Sequence, residues 1–122
     1  MNDKALLKIK RVYQPAETTD GYRILVDRLW PRGIRKEELK MDEWAKEVTP
    51  STAIRKDFGH DPARFPEFET RYRLELNENP QAAVFASRIQ TLLKTTPVTL
   101  LYAARDETCN HALILRNWIL EQ

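Results

Sequence analysis

The amino-acid sequence predicts an α/β fold: a three-layer sandwich in which helices flank a small, mostly parallel sheet of three to four strands. Short apolar runs typical of buried strands occur near both ends of the chain, and helical patterns lie between them and after the last one. Strands that alternate with helices usually pair in parallel, because each helix returns the chain to the same edge of the sheet. The length of 122 residues suits one domain, residues 1–122.

Three segments have the pattern of strands. In "ALLKIKRVY", apolar and basic residues alternate from Leu6 to Val12, which predicts a half-exposed strand near a sheet edge. "YRILV" contains a continuous apolar run that suits a strand buried on both faces, and Pro31 and Gly33 break the pattern after it. "VTLLYAA", which starts at Val98, is the clearest buried strand. "MDEWAKEV" favours a strand as well, with a helix as the alternative.

Four segments have the pattern of helices. "TPSTAIRKDFG" predicts a short helix that is capped by Ser51 or Thr52 and ended by Gly59. "DPARFPEFETRYRLELNEN" predicts a longer helix, and another begins at Pro80. "ALILRNWIL" predicts a largely apolar final helix with Asn110 as its N-cap. The apolar faces of the two middle helices are formed by Phe65, Phe68, Tyr72 and Leu76, and by Ala82, Phe85, Ala86, Ile89, Leu92 and Leu93.

Composition argues against several classes of protein. The net charge is only +2, without the strong basic stripe of a dedicated nucleic-acid-binding domain, although nucleic acid is not excluded as a partner. No apolar run approaches the ~20 residues that span a bilayer. The single cysteine, Cys109, allows no intrachain disulfide and suggests a cytoplasmic protein. Three glycines form no phosphate-binding loop. The dispersed His60, Cys109 and His111 argue against a metal site, with two histidines and either Asp27 or Asp106 as the alternative ligand set.

Two polar loops follow predicted buried strands: "DRLWPRG" after the second strand and "ARDETCNH" after the last one. Ligands of open parallel sheets bind outside the carboxyl ends of the strands. If these two strands are parallel, both loops lie at one edge of the sheet and form a single site. The candidate ligand-binding residues are Arg28, Trp30, Arg32, Gly33, Arg105 and Asn110.

Four residues are candidates for acid–base chemistry. His111 lies in the first turn of the last helix, where the helix dipole disfavours a protonated imidazole and makes the ring a candidate base. Asp27 and Asp106 would orient the arginines or act as bases, and His60 is a second candidate for proton transfer. Structural roles are the alternative for each: a packed histidine, a turn residue, and ion pairs between these aspartates and the arginines.

Two functions from different classes fit this site. The first is an enzyme or enzyme-like protein that binds a compact anion, such as a phosphate- or nucleotide-type molecule; no cofactor can be named. The second is a non-catalytic module that binds protein or nucleic acid through the same residues and the basic face of Lys8 and Lys10. A closed pocket in which Asp27, Arg32 and His111 converge would favour the first, and a shallow exposed surface the second.

The strings "YRILVDRLWPRG", "WAKEVTPSTAIRKDFGHDP", "FETRYRLEL" and "VTLLYAARDETCNHALIL" resemble the YeaO-like proteins of domain-of-unknown-function family 488 over nearly the whole chain. The resemblance implies an α/β fold and a soluble bacterial protein, with no established reaction. Longer relatives carry Cys-His-Arg where this chain has Asn110-His111-Ala112, so only the histidine matches. The residues that fall in family motifs are Asp27, Arg28, Trp30, Pro31, Arg32, Gly33, His60, Asp61, Tyr72, Asp106, Asn110 and His111.

Overall fold

A computed structural model describes residues 6–122, so the first five residues of the predicted domain lie outside it. The strands are β1 (Leu7–Arg11), β2 (Tyr22–Leu25), β3 (Glu43–Trp44) and β4 (Val98–Tyr102). The helices are α1 (Thr52–Phe58), α2 (Phe65–Glu78), α3 (Pro80–Leu92) and α4 (His111–Leu120). Short 3-10 turns occupy Thr18–Asp20, Lys46–Val48 and Pro62–Arg64. The predicted α/β class is confirmed.

All neighbouring strands of the sheet are parallel, in the order β1-β4-β2-β3. Every residue of the central strand β4 is buried, as its continuous apolar run predicted. β1 lies at one edge with four of its five residues only partly buried, which agrees with the alternation of apolar and basic residues. The carboxyl ends of the strands therefore meet at one edge of the sheet, where the two polar loops were expected.

The helices cover one face of the sheet. Leu7, Ile24 and Leu100 belong to a single large core cluster, to which all four helices contribute buried side chains. The predicted apolar faces of α2 and α3 point into this cluster, because residues three and four positions apart share one side of a helix.

The opposite face of the sheet is covered by the segment between β2 and β3. Leu25 and Leu101 point to this side, since neighbouring strand residues alternate between faces. They form a smaller cluster with Val12 and Leu39, bordered by Trp30, Ile34, Met41, Trp44 and Ala103. The loop that starts at Asp27 thus carries candidate site residues and also forms the outer layer of the fold.

The strand predicted in Met41–Val48 is present but has only two residues, Glu43 and Trp44. Ala45 N–H still donates to the carbonyl oxygen of Leu25, the last residue of β2 (2.9 Å). Beyond that point β2 offers no regular partner, and the chain turns into the 3-10 segment Lys46–Val48.

As predicted, polar side chains cap the starts of α1 and α4, and a glycine ends α1. The Ser51 hydroxyl, rather than that of Thr52, accepts from Ile54 N–H at the start of α1, and Gly59 ends this helix in the left-handed conformation. The Asn110 side chain accepts from Leu113 N–H (2.9 Å) at the start of α4. These caps fix where the loop before each helix stops.

A buried ion cluster joins β1 to the start of β2. The Asp20 carboxylate, only 3% exposed, accepts from Lys10 Nζ (3.1 Å), from Glu17 N–H (3.0 Å) and from Arg23 Nη1 (2.5 Å). Burial alone would raise the pKa of Asp20, but the Glu17 backbone hydrogen bond and the contacts with Lys10 and Arg23 together hold it below its ordinary value.

Candidate functional site

The two polar loops meet at the carboxyl edge of the sheet. Asp27, two residues after β2, accepts a hydrogen bond through Oδ2 from the backbone N–H of Ala103, the first residue after β4 (3.0 Å). Its other oxygen, Oδ1, lies 3.1 Å from His111 Nε2, at the first residue of α4. The sheet therefore brings together the aspartate and the histidine that the sequence placed 84 positions apart.

The His111 ring faces two oxygen acceptors. Its Nε2 atom lies 2.8 Å from the carbonyl oxygen of Val26 as well as 3.1 Å from Asp27 Oδ1. A ring nitrogen between two acceptors carries the proton, because an unprotonated nitrogen would be repelled by both. Nε2 is thus a donor, and Nδ1 is the nitrogen that can accept a proton from a ligand.

Asp27 also stabilises the ends of three strands. Its backbone carbonyl accepts from the indole N–H of Trp44, the last residue of β3 (2.7 Å), while its carboxylate holds Ala103 after β4. Oδ1 is buried, and its approach to His111 lacks the geometry of a hydrogen bond, since Nε2 is directed at Val26. The contacts of Asp27 are those of a structural residue, and its Oδ1 accepts no hydrogen bond from the described residues.

Asp106 shapes its own loop. Its Oδ1 accepts from Thr108 N–H, Thr108 Oγ1 and Cys109 N–H, each at 2.9 Å. The Thr108 and Cys109 backbone hydrogen bonds hold the pKa of Asp106 below its ordinary value, which makes the carboxylate a weaker base. Asn110, buried beside it, donates to the Asp106 carbonyl oxygen (2.9 Å) and caps α4.

His60 is separate from this group. It follows Gly59 at the end of α1, is exposed, and adopts a positive φ of 59°. Its ring lies 5.9 Å from that of Phe58, and within residues 6–122 it makes no hydrogen bond or ion pair with Asp27 or His111. The sequence placed both histidines in one site, but the structure brings only His111 to Asp27.

The three candidate arginines are exposed and have no carboxylate partner in the described part of the chain. Arg28 Nη1 makes one long hydrogen bond, to the carbonyl oxygen of Pro50 (3.4 Å). The side chains of Arg32 and Arg105 make no hydrogen bond or ion pair with any described residue. The alternative of ion pairs with Asp27 and Asp106 is not observed, because both carboxylates bind backbone N–H groups instead.

Trp30 and Gly33 shape the loop. The Trp30 indole N–H donates to the carbonyl oxygen of Ile34 (2.7 Å), and its ring packs edge-on against Trp44 with centroids 5.5 Å apart. Most of Trp30 therefore belongs to the smaller core cluster. Gly33 has a φ of 78° and allows the chain to turn back after Arg32.

The loop after β1 also reaches this edge, and sequence reasoning missed it. Arg11 donates to the carbonyl oxygens of Ala104 (2.9 Å) and Ala103 (3.3 Å), while Tyr13 donates to that of Arg32 (2.9 Å). Tyr13 is 47% exposed. Applying the carboxyl-end rule to the first strand as well as the other two would have found both residues.

The Lys8 and Lys10 side chains do not form a free basic strip. Lys8 Nζ donates to the carbonyl oxygen of Thr19, and Lys10 is paired with Glu17 (2.8 Å) and Asp20 (3.1 Å). Glu17 and Asp20 neutralise Lys10, whereas the Thr19 carbonyl oxygen binds Lys8 without cancelling its charge. Of the two lysines on β1, only Lys8 therefore keeps a charge without a carboxylate partner among the described residues.

Two surface concavities lie away from the strand ends. The larger, of about 300 Å³, lies beside α3 and is lined by Glu47, Pro80, Gln81, Val84, Phe85 and Arg88. The smaller lies between α1 and α2. Neither is lined by Asp27, Arg32 or His111, so neither is the closed ligand pocket considered for the strand ends. Residues 6–122 include no cluster of His, Cys, Asp and Glu that could hold a metal ion, and no helix among them could cross a membrane.

Comparison with known proteins agrees with the resemblance noted in the sequence. A family model described as the inactive DUF488-N3 subclade matches residues 6–122. The chain belongs to the DUF488 family. It is 50% identical to the uncharacterized protein YeaO of Escherichia coli K12 over 113 residues, which cover 93% of this chain and 96% of that protein. This DUF488 chain is also 38% identical over 109 residues to the uncharacterized proteins Mb3100c of Mycobacterium bovis and Rv3073c of Mycobacterium tuberculosis, with 89% of each chain covered. No solved structure matches.

Proposed function

We propose that this DUF488 protein is a non-catalytic module that binds a phosphate-bearing polymer, a nucleic acid, at the carboxyl edge of its sheet. The observation that carries the proposal is the state of Arg28, Arg32 and Arg105, three exposed arginines that no carboxylate in the described residues neutralises. A planar guanidinium matches phosphate oxygens, and several on one edge favour a ligand with several phosphates.

Nearby groups support a strand-like ligand. Tyr13 is exposed on the same edge, and its hydroxyl donates a hydrogen bond to the backbone carbonyl oxygen of Arg32. In this position its ring can stack on a base. Leu29, between Arg28 and Trp30, is 70% exposed and adds apolar contact area. Of the acidic residues in these loops, Glu38 is paired with Arg35, whereas Glu107 accepts only from the uncharged Gln14 and keeps its charge. A cytoplasmic location, expected from the single cysteine, is part of this proposal.

The absence of catalysis is supported from two sides. His111 Nε2 and Asp27 Oδ2 bind backbone groups, and Asp106 is held by its own loop, so these candidate bases already serve the structure. The family model that matches the chain is described as an inactive subclade. A binding role for the same edge is consistent with both.

The enzyme-like function is the second candidate, and the contact between His111 and Asp27 favours it. A compact phosphate- or nucleotide-type ligand would bind to Arg28, Arg32 and Arg105, and Nδ1 of His111 would accept its proton. In this version Asp27 orients the imidazole, as carboxylates do beside catalytic histidines.

The test is binding of a fluorescent single-stranded oligonucleotide by anisotropy at several salt concentrations. Three phosphate contacts predict a slope of log affinity against log salt of about −2, and the Arg32→Ala, Arg105→Ala double variant should reduce its magnitude by about 1.4. Lys94→Ala is the matched control, because Lys94 is exposed and precedes β4 at the opposite end of the sheet.

Three results would contradict the proposal. Binding that is equally weakened by the Lys94 variant would mean that the strand-end arginines have no special role. If the protein binds acidic peptides but no nucleic acid, its ligand belongs to a different class from the one proposed. Stabilisation by mononucleotides that His111→Ala abolishes, without oligonucleotide binding, would favour the enzyme-like candidate.

A further inference from the structure

Tyr13, in the loop after β1, presents a fixed aromatic ring at the carboxyl edge of the sheet. Its hydroxyl donates to the backbone carbonyl oxygen of Arg32 (2.9 Å), and the Arg11 guanidinium lies over its ring, 5.1 Å from the ring centroid. Tyr13 is nonetheless 47% exposed. The ring is therefore held from two directions while much of its surface stays open to solvent.

Arg11, the last residue of β1, is itself fixed by the loop after β4. Its Nε donates to the carbonyl oxygen of Ala104 (2.9 Å) and its Nη2 to that of Ala103 (3.3 Å). Because the Arg32 carbonyl belongs to the loop after β2, the Tyr13 ring is supported from the loops that follow both neighbouring strands. A contact group that is ordered before binding loses little conformational entropy when a ligand arrives.

A ring that is fixed and open in this way suits a flat, uncharged partner. Nucleobases stack on tyrosine rings, and the contact tolerates any sequence because every base has a π-face. Arg11 lies on one side of the Tyr13 ring, so a base can stack on the other. The cation and the base would then lie on opposite faces of one aromatic ring.

The charge beside Tyr13 also favours a base over a phosphate. Gln14, the next residue, donates through Nε2 to Glu107 Oε1 (3.4 Å), and this hydrogen bond leaves the charge of Glu107 in place. A carboxylate repels the oxygens of a phosphate. A phosphate is therefore disfavoured at this part of the edge, which leaves the base as the part of a nucleotide that contacts Tyr13.

We propose that the ligand is a single-stranded nucleic acid, one unpaired base of which stacks on Tyr13 with Arg11 behind the ring. In a duplex the faces of the bases are covered by their neighbours and only their edges are accessible in the grooves, so a protein ring can stack only on a base that is unpaired. This inference rests on the proposed function and deepens it, since it selects single strands over duplexes.

The experiment compares one oligonucleotide as a single strand and as a duplex with its complement. The strand carries at its centre a fluorescent purine base whose emission reports stacking, and anisotropy of an end label gives the affinity. We expect the single strand to bind at least about tenfold more tightly than the duplex at the same salt concentration, with a change in the purine emission on binding.

Three variants separate stacking from other roles of the ring. Tyr13→Ala should bind the single strand about tenfold more weakly and lose the change in emission, while the slope of log affinity against log salt stays the same, because no phosphate contact is removed. Tyr13→Phe keeps the ring and loses only the hydrogen bond to Arg32, so the change in emission should remain. Leu74→Ala, which removes an exposed apolar side chain on α2, is the matched control and should bind as the wild type does.

Equal affinity for single strand and duplex would overturn the inference, as would a Tyr13→Ala protein that binds the single strand as tightly as the wild type. Weaker binding by Tyr13→Ala with a smaller salt slope would overturn it too. In that case the ring acts by positioning Arg32 and not by contact with a base.

The outcome for Tyr13 can be distinguished from that for the proposed function. Oligonucleotide binding that depends on Arg32 and Arg105, but not on Tyr13 or on strandedness, would retain the function and refute the stacking site. If no oligonucleotide binds, but the free fluorescent purine nucleoside changes its emission with the wild type and not with Tyr13→Ala, the stacking surface is retained and the nucleic-acid function is refuted.

Discussion

Replacing Asp27 with alanine tests whether this residue holds the strand ends together. The change leaves the hydrogen bond from Trp44 to the Asp27 backbone intact, but removes the acceptor of Ala103 N–H and the contact with His111. A partly buried N–H that loses its partner costs roughly 1–3 kcal/mol, so we expect a loss of about 2 kcal/mol in the free energy of unfolding. For a chain of this size that corresponds to a fall in Tm of about 8 °C.

The assay is thermal unfolding followed by circular dichroism at neutral pH, with urea unfolding as a second measurement. Asp27→Asn keeps an acceptor for Ala103 but turns an amide toward the His111 N–H, so it should lose about 1 kcal/mol. Glu37→Ala is the matched control, because Glu37 is exposed and has no partner in the described chain; it should stay within about 0.5 kcal/mol of the wild type. If Asp27→Ala has the same melting temperature as the Glu37→Ala control, a structural role for the Asp27 carboxylate is refuted.

Three further changes test the rest of the fold. Asp20→Asn should destabilise the protein at pH 7, and its difference from the wild type in urea midpoint should shrink as the pH falls below about 4. The pKa of Asp20 is lowered in the folded protein, so the carboxylate stabilises the fold at pH values above its ordinary pKa and loses this effect when it is protonated. Gly21→Ala should cost about 3 kcal/mol or more in thermal unfolding, because a Cβ atom there would lie 2.1 Å from the Pro97 carbonyl oxygen at a φ of 66°. Asn110→Ala should cost about 1–2 kcal/mol in urea unfolding, since it removes the cap on Leu113 N–H.

Each of these changes has a result that would contradict it. A difference between Asp20→Asn and wild type that is constant from pH 7 to pH 3 would exclude the carboxylate as the source of the stabilisation. A Gly21→Ala protein as stable as wild type would mean that the turn relaxes freely. For Asn110, aspartate is the control that keeps the acceptor; equal losses for alanine and aspartate would rule out capping as the cause.

Much of the fold was predictable because it depends on local patterns. The alternation in β1, the apolar run of β4 and the faces of α2 and α3 each report burial directly, and burial follows the geometry of a strand or a helix. The meeting of Asp27 and His111 followed from one rule about parallel sheets. The layer on the other face of the sheet was harder to predict from the sequence, because the residues from Trp30 to Met41 show neither the period of a strand nor that of a helix.

The state of the charged groups at the site could not be predicted from spacing. Whether Asp27 pairs with Arg28 or binds Ala103 N–H depends on where the loop after β4 turns, which no local pattern specifies. Arg55 lies in an ordinary helical sequence, and no local pattern predicts that its Nε is buried without a hydrogen-bond partner in residues 6–122. The two-residue length of β3 likewise depends on where β2, the strand it pairs with, ends.

The edge-to-face pair of Trp30 and Trp44 lies at the carboxyl edge of the sheet, where binding is proposed, and can report on it by fluorescence. Trp30 lies between Leu29 and Pro31 in the loop that presents Arg28 and Arg32, and the Trp44 indole is hydrogen-bonded to the backbone of Asp27. The third tryptophan, Trp118, is buried in the main core on the other side of the sheet. Any ligand that reorders the arginine loop should change the intrinsic fluorescence of the first two while Trp118 stays constant, so the wild-type chain carries its own label-free reporter of occupancy.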